Sequence, residues 1–247
     1  MKADPSAQRR LLDVQTADSA LDRLAARRRN LPELAQIETL TGKLGEVDDE
    51  FVRVSTEVRD LGRAQSKLEG EIELVRSRAT RDRTRLDSGQ VANAREVENL
   101  SAEITSLARR QSTLEDEQLE IMEQVERLEA DTARLEGERS RLRGELDGLT
   151  RQRDAAFAEI DAEAAGLRET RSALVPEVPA DLFTLYEKLR ASNGGVGAAR
   201  LVRRRCEGCH LELSGGDLRE VAAAPADEVV RCEECRRILV RTAESGL

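Results

Sequence analysis

Four cysteines are the residues whose type and spacing can do chemistry. They stand as Cys206-Glu-Gly-Cys209 and Cys232-Glu-Glu-Cys235, two C-x-x-C hooks separated by 22 residues, and no other Cys occurs in the chain. Two such hooks present four thiolates that close a tetrahedron around one zinc ion. Gly208 eases the tight turn inside the first hook. Short β-prone stretches flank the hooks at 199–202, 228–231 and 238–240, so the spacing predicts a zinc ribbon. Thiol redox chemistry is disfavoured, because a C-x-x-C redox site sits in a βαβ context that this chain lacks. A shell of four Cys leaves no position for a reactive water, so the zinc is read as structural. His210, the sole His, directly follows Cys209 and is read as an exposed neighbour rather than a ligand.

Arginines crowd the same region: Arg203, Arg204 and Arg205 enter the first hook, Arg236 and Arg237 leave the second, and Arg241 lies beyond. Side by side, the hooks would gather them into one patch able to hold phosphates or an acidic partner. Against a nucleic-acid role, residues 200–247 hold nine Arg and nine Asp or Glu, and no aromatic residue follows Tyr186 to stack on bases. The same arginines also serve to offset the negative charge of zinc with four thiolates. Both readings stand at this level, a protein-binding ribbon and a nucleic-acid-binding one.

Long helices must position this head. Of the 247 residues, 36% are charged and 2% aromatic, the profile of coiled coils rather than of a rounded core. From Ile37 through Leu40, Leu44, Val47 and Phe51 to Val75, residues alternating by three and four are apolar save Gln65, which is a coiled-coil seam. Pro32 predicts a break near Leu31. Asp87-Ser88-Gly89 is a turn signal, and the reversal is expected near 86–93. A second seam runs from Val97 to Leu174, with polar residues such as Gln111, Gln118 and Arg139 in core slots, and Pro176 and Pro179 close it. Two matched arms around one turn predict an intramolecular antiparallel hairpin rather than a parallel dimer. Asp181 is read as the N-cap of a short helix carrying Leu182, Leu185, Tyr186 and Leu189. The expected fold class is therefore mainly α: a long antiparallel coiled-coil hairpin over 1–178, then a short helix and a small C4 zinc ribbon with short β-strands over 179–247.

The chain carries a net charge of -9, which disfavours non-specific attachment to nucleic acid or anionic membranes. No apolar run approaches the length of a membrane helix, and residues 1–10 lack the apolar stretch of a signal peptide, so a cytoplasmic protein is expected. Clustered Cys there favour metal over disulfides. No Gly-rich phosphate loop, Ser/His/Asp set or isolated carboxylate pair is present. The expectation is a non-enzymatic adaptor with protein partners and no small-molecule substrate.

The layout also resembles the bacterial coiled-coil and C4-type zinc-ribbon family. The residues that carry the resemblance are Leu185-Tyr186-Glu187, Cys206-Glu-Gly-Cys209 and Cys232-Glu-Glu-Cys235-Arg236-Arg237-Ile238-Leu239. Where this chain has Arg236, the family usually has Gly. Members are linked to flagellar and secretion regulation through an alternative sigma factor of RNA polymerase and, in one branch, messenger RNA. The resemblance therefore implies an adaptor acting in transcription or secretion regulation.

Overall fold

A computed structural model describes residues 1–89, 91 and 93–247. Its elements are α1 (Pro5–Arg29), α2 (Pro32–Asp87), α3 (Ala94–Leu174), a 3-10 turn (Val175–Glu177), α4 (Ala180–Ser192), β1 (Ala198–Val202), β2 (Arg205–Cys206), α5 (Gly215–Ala223), β3 (Val230–Arg231) and β4 (Ile238–Val240). The expected turn over 86–93 includes residues 90 and 92, which lie outside the described residues; Gly89 has φ +65, the left-handed backbone that glycine tolerates best. Contacts divide the chain into an arm unit, 35–150, and a base unit, 1–34 with 151–247.

In the arm unit the seam residues from Ile37 to Val75 are all buried or half-buried. Cross-arm ion pairs give the direction: Arg85–Glu96 at 2.6 Å, Arg78–Glu103 at 2.7 Å and Arg76–Glu115 at 3.2 Å, one number falling as the other rises. The arms are antiparallel. The polar seam residues have partners. Gln118 donates to Glu69 at 3.2 Å. Arg139 bonds Asp48 and lays its guanidinium 4.1 Å from the Phe51 ring centre, so a cation–π contact replaces an aliphatic one. Val97 does not open the second seam, as its periodicity predicts. It is 39% exposed near the start of α3, and the seam begins at Leu100.

In the base unit Asp4 caps α1 by accepting from the Ser6 N–H at 2.7 Å. α1 stops at Arg29 and Pro32 opens α2, the break expected near Leu31. Residues 151–174 of α3 return along α1, burying Leu24, Leu31, Ile160 and Ala164 together. Asp181 is not the N-cap of α4. Pro179 occupies that position with ψ 139, and Asp181 lies inside the first turn, where its carboxylate still meets the positive end of the helix dipole.

The sheet order is β2-β1-β4-β3, with β1 parallel to β4 and the other pairs antiparallel. One core joins Leu11 and Val14 of α1, Leu182 and Tyr186 of α4, and Ile238 and Val240 of β4. The grouping by contacts thus differs from a boundary at residue 178, because the ribbon's inner strand and the hairpin's base bury one another. A smaller core under the hooks packs Leu201, Leu213, Leu218, Val221 and Leu239. Helix α5 was not foreseen; its signature is the capping box of Ser214 and Asp217.

Gly197 joins α4 to β1 where there is no space for a side chain. A Cβ there would come within 2.5 Å of the Tyr186 carbonyl oxygen and 3.0 Å of the Arg190 nitrogen, both backbone atoms. Gly197→Ala is expected to destabilise the base unit by about 1–3 kcal/mol, as overpacking does. Chemical denaturation of the full chain checks this, and an unchanged midpoint would show that the α4–β1 junction shifts freely.

Candidate metal centre

The two hooks have the same backbone design. In each, an N–H four residues on returns to the first Cys carbonyl: His210 to Cys206 at 2.7 Å, and Arg236 to Cys232 at 2.8 Å. Both closing residues adopt left-handed backbone, φ 61 for His210 and φ 62 for Arg236. Arg236 therefore makes the turn for which the resembled family uses Gly. The first hook leaves β2, and the second links β3 to β4, so the sheet sets the hooks face to face.

The four Sγ atoms lie within 4.8 Å of one another. Cys206 and Cys235 are 3.9 Å apart, as are Cys209 and Cys232. A tetrahedron with Zn–S bonds of about 2.3 Å has edges of about 3.8 Å, so the thiolates fit a zinc ion. Burial pushes the thiols of Cys206 and Cys232 above the usual range. Burial also acts upward on Cys235, but hydrogen bonding from the Arg237 backbone N–H and guanidinium and from the Cys232 and Cys209 thiols together outweighs it and brings that thiol down to about 7. The site holds one structural zinc, and its shell is closed.

The arginines flanking the hooks divide into two kinds. Arg203 and Arg204 form the two-residue turn between β1 and β2, both with positive φ, 45 and 69. Such a turn favours Asn and Gly; two arginines there carry strain of about 1–2 kcal/mol each. The turn is held because Arg203 and Arg204 donate to the carbonyls of Glu244 and Ser245 at 2.8 and 3.0 Å. Both side chains are exposed, as is Arg205, which donates to the His210 carbonyl at 2.9 Å. Arg236 is exposed and paired to Glu233 at 2.9 Å. Arg237 and Arg241 turn inward. Arg237 donates to the carbonyls of Val196 and Asn193 at 2.9 and 2.8 Å. Arg241 donates to five carbonyls, those of Val221, Ala224, Pro225, Ala226 and Glu228, at 2.6–3.3 Å. It thereby closes the end of α5, whose last carbonyls have no partner of their own. Arg241→Ala is expected to cost about 2–3 kcal/mol of ribbon stability, the scale of charge-assisted bonds left unmade. Hydrogen exchange in 215–231 reports it, and unchanged protection would refute the assignment.

A second polar centre mounts the ribbon on the hairpin's base. Asp18 of α1, only 2% exposed, accepts from the Tyr186 hydroxyl at 2.6 Å and from Arg171 Nε at 2.6 Å. Arg190 Nε lies 3.6 Å from Asp18, and its other nitrogen forks onto both Asp22 oxygens at 2.9 Å. Arg171 also reaches Glu187. One helical turn earlier, Gln15 accepts from the Gly197 N–H at 2.8 Å and donates to the Gly195 carbonyl at 3.0 Å. Burial, and then Asp18, push the Tyr186 phenol well above its ordinary range, so it remains a donor. Sequence reasoning passed over Gln15 and Asp18. The available signal was that Gln8, Leu11, Gln15 and Asp18 repeat at seam spacing, with polar residues in core slots.

Fold and site together define a class: a helical coiled-coil hairpin that carries a structural C4 zinc ribbon. Residues 14–194 match the CT398-like coiled coil hairpin domain, and residues 205–239 match the C4-type zinc ribbon domain. The chain belongs to the CT398-like coiled-coil hairpin family. A protein of Mycobacterium tuberculosis is 37% identical over 241 residues, covering 98% of each chain. A solved structure from Mycobacterium smegmatis is 38% identical, with a TM-score of 0.87 over 98% of this chain and 100% of that one. CT398 from Chlamydia trachomatis is 20% identical with a TM-score of 0.74 over 96% of this chain and 98% of that one, a likeness of fold.

Proposed function

We propose that the chain is a non-enzymatic adaptor that binds protein partners through its hairpin and its ribbon, in transcription or secretion regulation. The observation that carries this reading is the closed four-thiolate shell: it leaves the metal no position for a substrate, so the ribbon serves as a folded docking head. The hairpin arms supply long charged faces. No helix among the described residues is long and apolar enough to cross a membrane. A cytoplasmic location is part of the proposal, supported by four Cys clustered as metal ligands rather than as disulfides. The division at 178/179 is kept as a functional one, the hairpin for reach and the ribbon for contact.

A second reading, a nucleic-acid-binding regulator, is favoured by one observation. Arg203 and Arg204 on the strained turn and Arg205 at the start of β2 are exposed and make no ion pair among the described residues. Against it, Arg237 and Arg241 already serve backbone carbonyls. Capture of partners from the native host by the zinc-loaded full chain, followed by nuclease, separates the two. Protein partners that persist after nuclease, and that are lost with the Cys206→Ser variant, support the adaptor. A bound fraction that disappears with nuclease, falls steeply with salt and is lost on Arg203→Ala/Arg204→Ala supports the second reading and sinks the first.

A further inference from the structure

Within the arm unit, charge is segregated along the helices. Residues 76–110 hold eight Arg and five Asp or Glu, while residues 111–150 hold five Arg and twelve Asp or Glu. The extremes are sharper. Arg76, Arg78, Arg81, Arg83 and Arg85 lie within ten residues of α2, all exposed. On α3, residues 115–131 hold eight acidic residues and one Arg. Arg81 and Arg83 make no ion pair among the described residues, and neither do Asp116, Glu117, Glu120, Glu123 or Glu126. Beside those acids, Leu119 and Met122 are 57% and 44% exposed on a helix whose other large apolar residues mostly face the seam.

We propose that this segment of the hairpin is a self-complementary surface on which a second copy of the chain docks, the basic end of one arm unit lying on the acidic band of the other. The spacing supports it. Ion pairs set the α2 arginines alongside residues 96–115 of α3. At about 1.5 Å per residue, residues 95–110 lie about 2–24 Å from the start of α3, and residues 115–131 about 32–56 Å from it. The two bands are similar in length, about 22 and 24 Å, and mirror each other about residue 113. A two-fold axis there lays two copies antiparallel, with both bands matched at once, as an isologous interface requires. Arginine stems then cover Leu119 and Met122 while their heads meet the carboxylates. At physiological salt the Debye length is about 8 Å, so each band is felt locally and the net charge of each copy opposes the contact little. A polyanion fits less well. It would have to run on from the basic end beside the acidic band, and residues 76–110 offer no aromatic side chain for a base. The inference is independent of the adaptor reading.

The test is sedimentation velocity on the full zinc-loaded chain with two charge-reversal variants of exposed residues, Arg81→Glu/Arg83→Glu and Glu120→Arg/Glu123→Arg. The parent is expected to dimerise at about 50 mM salt and to dissociate at about 500 mM. Each variant alone should bind itself at least about tenfold more weakly, and an equimolar mixture of the two should regain the parent's affinity, because both contacts become attractive again. Rescue by mixing also shows that both variants fold. A parent that stays monomeric at about 100 μM and low salt overturns the proposal. So does a dimer indifferent to both variants. Binding of mixed-sequence single-stranded RNA by monomers, lost with Arg81→Glu/Arg83→Glu, would overturn it in favour of a polyanion site.

Discussion

Cys206→Ser is expected to abolish stoichiometric zinc binding and to unfold the ribbon while the helices of the arm unit persist. Cys206 is fully buried, it starts the first hook, and its carbonyl accepts the bond that closes that hook. The core beneath the hooks is small, and its partly buried members include Cys209 and Cys235 themselves. Such a core cannot offset the entropy of ordering the hooks without the ion, and structural zinc in small ribbons supplies about 10–16 kcal/mol of folding free energy. The strain of Arg203, Arg204, His210 and Arg236 at positive φ adds to what the metal must hold. Zinc content by atomic emission should fall from one per chain to near zero. Hydrogen exchange should rise across 198–240, and helical circular dichroism should change little, because the long helices close their own hydrogen bonds. Chelation of the parent should reproduce the effect. Retention of one zinc per chain with native protection of β1 and β4 would show that three thiolates and a water suffice.

The second large effect is expected at the ribbon's mount. Asp18→Ala removes the acceptor of both the Tyr186 hydroxyl and Arg171 Nε, and leaves Arg190 facing no charge on that side. Breaking a buried pair by deleting one partner strands the other in low dielectric and costs about 3–5 kcal/mol. Tyr186→Phe should cost less, about 1–2 kcal/mol, because it removes one bond and leaves Asp18 still paired with Arg171. Urea denaturation of the full chain, with hydrogen exchange over 180–202, separates the two cases. A double-mutant cycle should return a coupling between Asp18 and Tyr186, since they share one bond. An Asp18→Ala variant within about 0.5 kcal/mol of the parent would mean that the network is solvated and that the apolar core of Leu11, Val14 and Leu182 alone holds the mount. In the Leu185-Tyr186-Glu187 run, Tyr186 thus binds α1 and Glu187 binds α3, which gives that motif a docking role.

Much of this was legible in the residues themselves. The seam from Ile37 to Val75, the break at Pro32, the turn signal ending at Gly89 and the four zinc ligands follow from local rules: apolar period, proline's missing donor, glycine's freedom and the reach of a C-x-x-C hook. Each is written in a short stretch of sequence, the metal shell as two such stretches of the same spacing. What tertiary structure decided involves residues far apart. Asp18 meets Tyr186 across 168 positions, and Arg241 gathers carbonyls 13 to 20 residues away. Nothing in an arginine's neighbours says whether its guanidinium faces solvent, as at Arg203, or serves backbone, as at Arg241. Val97 shows the same limit: its spacing suits the seam, but it is 39% exposed and the seam begins at Leu100. Apolar periodicity determined the hairpin, and the paired C-x-x-C hooks determined the metal shell. Burial and hydrogen bonding between distant segments decided how the ribbon is mounted and which of its charges remain available to a partner.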